Sequence, residues 1–214
     1  MSKIKKVIKV VGEEGVLALP EKVVSSVRRK REYTHFVKKA RKLHLISREE
    51  REFEKAFKFQ ENIKFSVITP LYNTPEQYLK EMIESLKKQT YSNWELCMAD
   101  GSDTRHEYVK KICEAYAEED ERIKYVKLKE NRGISINTNE CLKLATGDYV
   151  GLLDHDDILH ESALFEMMKA IDEEHADFLY SDEVKFNSAI EDAADFNFKP
   201  GFGKDELGSH NYIC

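Results

Sequence analysis

From Lys64 onward, short apolar runs alternate with segments whose apolar residues recur at three- and four-residue spacing. Residues 65–69 (Phe-Ser-Val-Ile-Thr) predict a strand, stopped by Pro70 because proline brings no amide to a ladder. Thr74-Pro75-Glu76-Gln77 predicts a helix opening, with Thr74 as cap, Pro75 in the first helical position and Gln77 completing a capping box. Leu79, Met82, Ile83 and Leu86 then fall at i, i+3, i+4 and i+7, one buried helix face. Residues 94–99 predict a second strand, ending at Asp100-Gly101-Ser102-Asp103. Val109, Ile112, Cys113 and Tyr116 repeat the helical spacing, and residues 123–128 predict a third strand. Residues 134–145 predict a helix closed by Gly147, and residues 149–153 a buried fourth strand running into Asp154-His155-Asp156-Asp157. Leu164, Phe165, Met168 and Ile171 predict a last helix, and residues 178–180 a last strand.

Strands alternating with helices of this length imply right-handed crossovers and a mainly parallel sheet, covered on both faces. In such sheets ligands bind beyond the carboxyl ends of the strands. The polar residues predicted there are Tyr72 and Asn73, then Asp100 and Asp103, then Asp154, Asp156 and Asp157. Three carboxylates within four positions repel one another unless a cation, a proton or solvent intervenes. Oxygen ligands of this kind suit Mg2+ or Mn2+, and a metal lets an acidic pocket accept a diphosphate. The plainer reading makes Asp154 a helix cap and Asp156 and Asp157 solvated acids near a helix dipole.

Composition adds an N-terminal distinction. Residues 1–60 hold 17 Lys+Arg against 8 Asp+Glu, a net +9, whereas residues 61–214 carry 17 against 32, a net −15. The division predicts a basic, mostly helical extension over 1–62 and an acidic domain over 63–214. The densest basic run, Arg28-Arg29-Lys30-Arg31, suits either a solvated helical face or an anionic membrane surface better than nucleic acid. Tyr33, Phe36, Phe53, Phe57 and Phe59 recur at helical spacing, which favours packing over base stacking. The longest apolar runs fall far short of the ~20 residues of a membrane span, and residues 1–9 do not read as a signal peptide. Cys97, Cys113, Cys141 and Cys214 form no Cys-x-x-Cys pair and are expected as reduced structural thiols of a cytosolic protein.

Six segments in order carry a resemblance: 65–73 (FSVITPLYN), 94–102 (WELCMADGS), 130–135 (ENRGIS), 145–149 (ATGDY), 153–157 (LDHDD) and 180–183 (YSDE). Together they resemble family 2 glycosyltransferases, inverting enzymes of the GT-A fold that use nucleotide-diphosphate sugars, especially bacterial members that build surface polysaccharides. The resemblance implies that Pro70, Tyr72 and Asn73 line the nucleotide, with Tyr72 against the base. It implies that Asp100 or Asp103 accepts from a uracil-type imide, and that Gly133 and Asn139 belong to the nucleotide site. Asp154 would face the ribose or sugar, and Asp156 would ligate Mn2+ or Mg2+ on the pyrophosphate of a UDP-sugar. Thr138 replaces an arginine common before that asparagine, and Asp100-Gly101 replaces a common pair of aspartates.

An inverting transfer also needs a carboxylate base for the acceptor hydroxyl. In the family that base lies past the Tyr-Ser-Asp-Glu segment, so the expectation is a donor-binding part without it, with Asp182 and Glu183 poor substitutes. Further expectations are a glycan or lipid-linked acceptor, peripheral contact with the inner membrane face, no nucleic-acid partner, and a homodimer covering an unfinished sheet edge. The rival readings are a non-catalytic nucleotide-binding or interaction module on the same fold, and a receiver-type phosphorylation switch. The switch needs a lysine at a later strand end, and none follows residues 178–181.

Overall fold

The computed structural model describes Thr34, residues 45–186, Ala193, residues 195–201 and Gly203. Two compact units emerge: Ile46–Leu179, and a second made of Met1–Leu45 with Tyr180–Cys214. The structure of the basic run at 28–31, of Tyr33 and Phe36, and of Cys214 lies outside the described residues.

The larger unit opens with helix α1 (Arg48–Ala56), capped by Ser47 in a capping box with Glu50. Strands β1 (Phe65–Leu71), β2 (Trp94–Asp100), β3 (Ile123–Lys127) and β4 (Tyr149–Leu152) alternate with helices α2 (Glu76–Lys87), α3 (Glu107–Glu119), α4 (Ile134–Leu142) and α5 (Ala163–Glu174). All four strands are parallel, in the order β3-β2-β1-β4. The periodicities read from the sequence are those that pack. Leu79, Met82, Ile83 and Leu86 of α2 are fully buried, and so are Val109 and Cys113 of α3. With Leu164, Met168 and Ile171 of α5 they cover Phe65, Val67, Trp94, Leu96 and Met98 on one sheet face. Each such apolar side chain contributes about 1.5–3 kcal/mol through its removal from water. The opposite face packs Ile68, Cys97 and Ala99 against Cys141 of α4 and the Leu144–Ala145 tail.

Several local expectations change. Pro70 lies inside β1, opposite Ala99, instead of ending it. The Leu153 amide donates to Ile68 O and the Gly101 amide to Leu71 O, so Ile68 and Pro70 face β4 while Leu71 faces β2. The last β1–β4 pair is Ile68↔Leu152, so the amide that Pro70 lacks faces a place where β4 has already ended. Thr74 makes no side-chain cap, because α2 starts at Glu76 with Pro75 in the capping position, and Gln77 turns to Glu81 instead. Among the described residues β4 is an edge strand, and Val150 and Leu152 are exposed. No strand forms at 178–180.

Gly147 is not a left-handed helix stop, since α4 ends at Leu142 and the only glycine with positive φ among the described residues is Gly133. Its requirement is space: a Cβ there would sit 2.5 Å from Lys64 O and 2.7 Å from Ser66 Oγ. Gly147→Ala is therefore expected to destabilise by about 1–3 kcal/mol through forced displacement of the β1 backbone. Urea unfolding followed by the fluorescence of Trp94, the sole tryptophan and 1% exposed, measures this.

The charge pattern assigned α1 to the basic extension, but it belongs to the sheet-bearing unit. Arg51 forms a two-pronged ion pair with Glu161 at 2.6 and 3.2 Å. Glu54 accepts from the hydroxyls of Thr90 and Ser162. Just beyond α1, Phe57 and Phe59 pack edgewise or tilted against Phe165 of α5, centroids 5.7 and 5.2 Å away, so these aromatics do serve packing.

The smaller unit contains an antiparallel hairpin, β5 (Glu183–Lys185) with β6 (Asp195–Asn197). Asp182 accepts from the Lys199 amide and Glu183 from the Asn197 side chain, so both carboxylates are engaged within this unit.

Candidate functional site

The carboxyl ends of β1 and β2 are stitched together. Asn73 has positive φ (53°), a conformation asparagine tolerates better than most residues. Its amide donates to Ser102 Oγ at 2.8 Å, and its side-chain carbonyl accepts from the Asp103 amide at 3.1 Å. Tyr72, next to this clasp, remains 46% exposed.

The two aspartates of the β2 loop have opposite fates. Asp100 is fully buried. One of its oxygens accepts from the Ser102 amide at 2.7 Å. The other accepts from Tyr125 OH at 2.9 Å and meets Lys127 Nζ at 3.1 Å. Burial, followed by the Asp100 charge, pushes the Tyr125 hydroxyl well above the ordinary phenol range. Asp100, one of the two aspartates expected near the base, is held as a strut beneath the loop. Asp103 keeps a third of its side chain exposed. His106, 2.8 Å away, and then Arg105 outweigh desolvation and hold its carboxyl well below the usual carboxylate range.

A second bracket joins α4 to this rim. Asn137 is buried, donates to Asn131 Oδ1 at 2.8 Å and accepts from the Arg132 amide. Gly101 packs so closely on this pair that a Cβ would lie 3.0 Å from Asn131 Cα. Gly133, at φ 86°, precedes α4 without any side-chain cap, and its amide donates to Asn131 Oδ1. Asn139, expected at the nucleotide site, is exposed and lies two residues, about 200° of helix, from Asn137. The bracketing asparagine is thus Asn137, which a helix pattern alone marks only as an amide in a buried position.

The acidic loop after β4 is held from behind. Gln89 links Leu164 and His160, and Ser85 Oγ accepts from the Leu159 amide. Asp154 does not cap α5, which begins at Ala163; it closes a turn through its carbonyl, which accepts from the Asp157 amide. Asp154, Asp156 and Asp157 are all exposed, and Asp156 Oδ1 lies 4.0 Å from His155 Nδ1. Among the described residues, no three His, Cys, Asp or Glu side chains converge as a ready-made metal cage. A groove of about 440 Å3 lined by Lys80, Glu84, Lys87 and Tyr116 includes none of these strand-end residues.

Cys97, Cys113 and Cys141 are buried free thiols, as expected. Burial pushes Cys97 up to about 12 and Cys141 up to about 11, which keeps both protonated and unreactive.

Comparison with known proteins gives this arrangement its context. The family model for glycosyl transferase family 2 matches residues 66–193, more than half of the chain. An uncharacterized protein of Sinorhizobium fredii is 40% identical over 69% of this chain and 16% of its own length. The glycosyltransferase GlyG of Streptococcus pneumoniae is 30% identical over 62% of this chain and 42% of its own. The O-antigen biosynthesis protein RfbC of Myxococcus xanthus is 31% identical over 69% of this chain and 12% of its own. The chain thus spans less than half the length of each of these relatives. A parallel sheet covered by helices on both faces is the core that the resemblance to GT-A enzymes predicted. With its ordered motifs seated at the carboxyl ends of β1, β2 and β4, the chain belongs to glycosyl transferase family 2.

Proposed function

We propose that this domain binds the donor of an inverting transfer, a UDP-sugar held through a divalent metal, for polysaccharide or glycan synthesis. The observation that carries the reading is the pairing, along one sheet rim, of an exposed Tyr72 beside the Asn73–Asp103 clasp with an exposed acidic loop, Asp154 to Asp157. The aromatic end suits a base and the acidic end suits a cation with its diphosphate. In this reading Tyr72 stacks on the base, Asp103 accepts from its imide, and Pro70, Asn73 and Gly133 shape the backbone around it. Asp154 faces the ribose or sugar.

The donor set fits Mn2+ or Mg2+. Its carboxylates are hard, exposed oxygen ligands, and one or two of them leave coordination positions for water and phosphate. The buried, unpartnered His155 Nδ1 beside Asp156 is consistent with a site designed around that carboxylate. When bound, the metal supplies charge stabilisation to the departing diphosphate. RfbC's name associates it with O-antigen, which supports a glycan or lipid-linked acceptor here. No helix among the described residues is long and apolar enough to cross a membrane. Within this proposal the basic N-terminal segment provides peripheral contact with the cytoplasmic membrane face, and the exposed β4 side belongs to a homodimer.

Calorimetric titration with UDP, with and without Mn2+, tests the reading on the wild type and Asp156→Ala. Expected is Mn2+-dependent binding that the variant weakens ~10-fold or more, about 1.4 kcal/mol. Equal UDP binding with and without Mn2+ removes the metal from the proposal. Absence of any binding favours the interaction-module reading.

A further inference from the structure

The acidic loop contains one side chain to which the family resemblance assigns no role. His155 stands between Asp154 and Asp156, two residues after the buried Leu153 that follows β4. Its ring is two-thirds covered, and its Nδ1 is buried with no hydrogen-bond partner. Buried polar atoms are nearly always satisfied, so a lone ring nitrogen needs an explanation. The nearest acidic group is Asp156 Oδ1 at 4.0 Å, about 1 Å beyond a normal hydrogen bond. Asp156 itself is more than half exposed. Its carboxylate is thus free to turn, whereas the imidazole is seated against the protein.

From this juxtaposition we infer that His155 is a positioning residue, whose Nδ1–H holds the Asp156 carboxylate in its metal-binding orientation. The inference rests on Asp156 being the metal ligand, as proposed above. A carboxylate that ligates a metal with one oxygen leaves lone pairs that a neighbouring donor satisfies, and such donors fix ligand orientation. A small side-chain rotation at Asp156 closes the gap. No proton changes hands: the neutral imidazole carrying hydrogen on Nδ1 suffices. The exposed carboxylate would otherwise lose rotamer freedom on binding the metal, a cost that the fixed imidazole offsets. The role also explains why a largely covered ring sits in an otherwise solvent-facing acidic loop.

Isosteres separate the two ring nitrogens. The asparagine amide nitrogen takes the place of Nδ1, and the glutamine amide nitrogen takes the place of Nε2. Mn2+ affinity in the presence of UDP, read from the loss of the free-Mn2+ electron paramagnetic resonance signal, is measured for wild type, His155→Ala, His155→Asn, His155→Gln and Asp156→Ala. UDP binding without metal and the thermal midpoint are measured in parallel to register any merely structural damage. Expected is a weakening of ~10-fold or more for His155→Ala and His155→Gln, and recovery to within about threefold of wild type in His155→Asn. Metal-free UDP binding and thermal midpoint should be unchanged in all three His155 variants. Full Mn2+ affinity in His155→Ala, with affinity lost in Asp156→Ala, overturns the inference and leaves the metal proposal standing. Recovery in His155→Gln but not in His155→Asn also overturns it, since the working nitrogen is then Nε2. Unchanged Mn2+ affinity in Asp156→Ala overturns both.

Discussion

Replacing Glu95 by alanine should be among the most damaging single changes in the sheet, with an expected loss of about 3 kcal/mol in unfolding free energy. Glu95 is 1% exposed within β2, on the face covered by α4. Its carboxylate pairs with Lys64 and, at 2.9 Å, with Lys124. It also accepts from Ser66 Oγ at 2.8 Å, from the Thr146 amide at 2.6 Å and from Thr146 Oγ1 at 2.9 Å. The network therefore ties the start of β1, the start of β3 and the segment leading into β4 to one buried anion. Alanine orphans the Ser66 hydroxyl and the Thr146 amide, while the two lysines, each about one-third exposed, can turn to water. That partial escape keeps the expected figure at the low end for a broken buried pair. Urea unfolding read by Trp94 measures it, and a loss below about 0.5 kcal/mol would show that the network is decorative.

The same group predicts an acid dependence. Burial alone would raise the Glu95 carboxyl, but Lys64, Lys124, the Thr146 amide and Ser66 outweigh it and hold the group well below the usual carboxylate range. A folded pKa below the unfolded one, about 4.3, contributes stability at neutral pH. That contribution is lost as pH falls below about 4.5 toward the folded value. The stability gap between wild type and Glu95→Gln should accordingly be widest near pH 7 and narrow as pH is lowered through 4. A gap that widens on acidification would contradict this sign.

Asp100→Ala is expected to lose about 2–4 kcal/mol and to weaken nucleotide binding together with it. Removing the strut leaves Tyr125 OH and the Ser102 amide without their acceptor and frees the 101–103 loop. Asp103→Ala should behave differently. Its side chain caps the short turn that begins at Thr104, so the stability cost is only about 1 kcal/mol, while nucleotide affinity falls at least as far. Denaturation and UDP titration on both variants distinguish the roles. If Asp100→Ala keeps full stability and loses only affinity, Asp100 is a ligand contact after all.

That distinction marks where the sequence stops being legible. Helix faces such as Leu79–Met82–Ile83–Leu86 could be read because one local pattern decides both helix and burial. The strand ends could be read because β1, β2 and β4 each pass from an apolar run into polar residues. Asp100 and Asp103 could not be sorted, since the choice depends on Tyr125 and Lys127, which arrive from β3. Gly147 looked like a helix stop because its real constraint is the Lys64 carbonyl, far away in the chain. Asn137 is not marked by its local pattern, because the helical phase of α4 follows from packing and its apolar pattern is weak. Residues 178–180 offered only three positions, too few for period-two alternation to outweigh tertiary context.

Pro70 carries a consequence for the shape of the rim. Because its nitrogen bears no hydrogen, a longer β4 could not form the next rung beside it, and a chain zipping upward from Leu152 would stall there. The chain ends leading to Tyr72 and to the acidic loop are in this way kept from healing into continuous sheet.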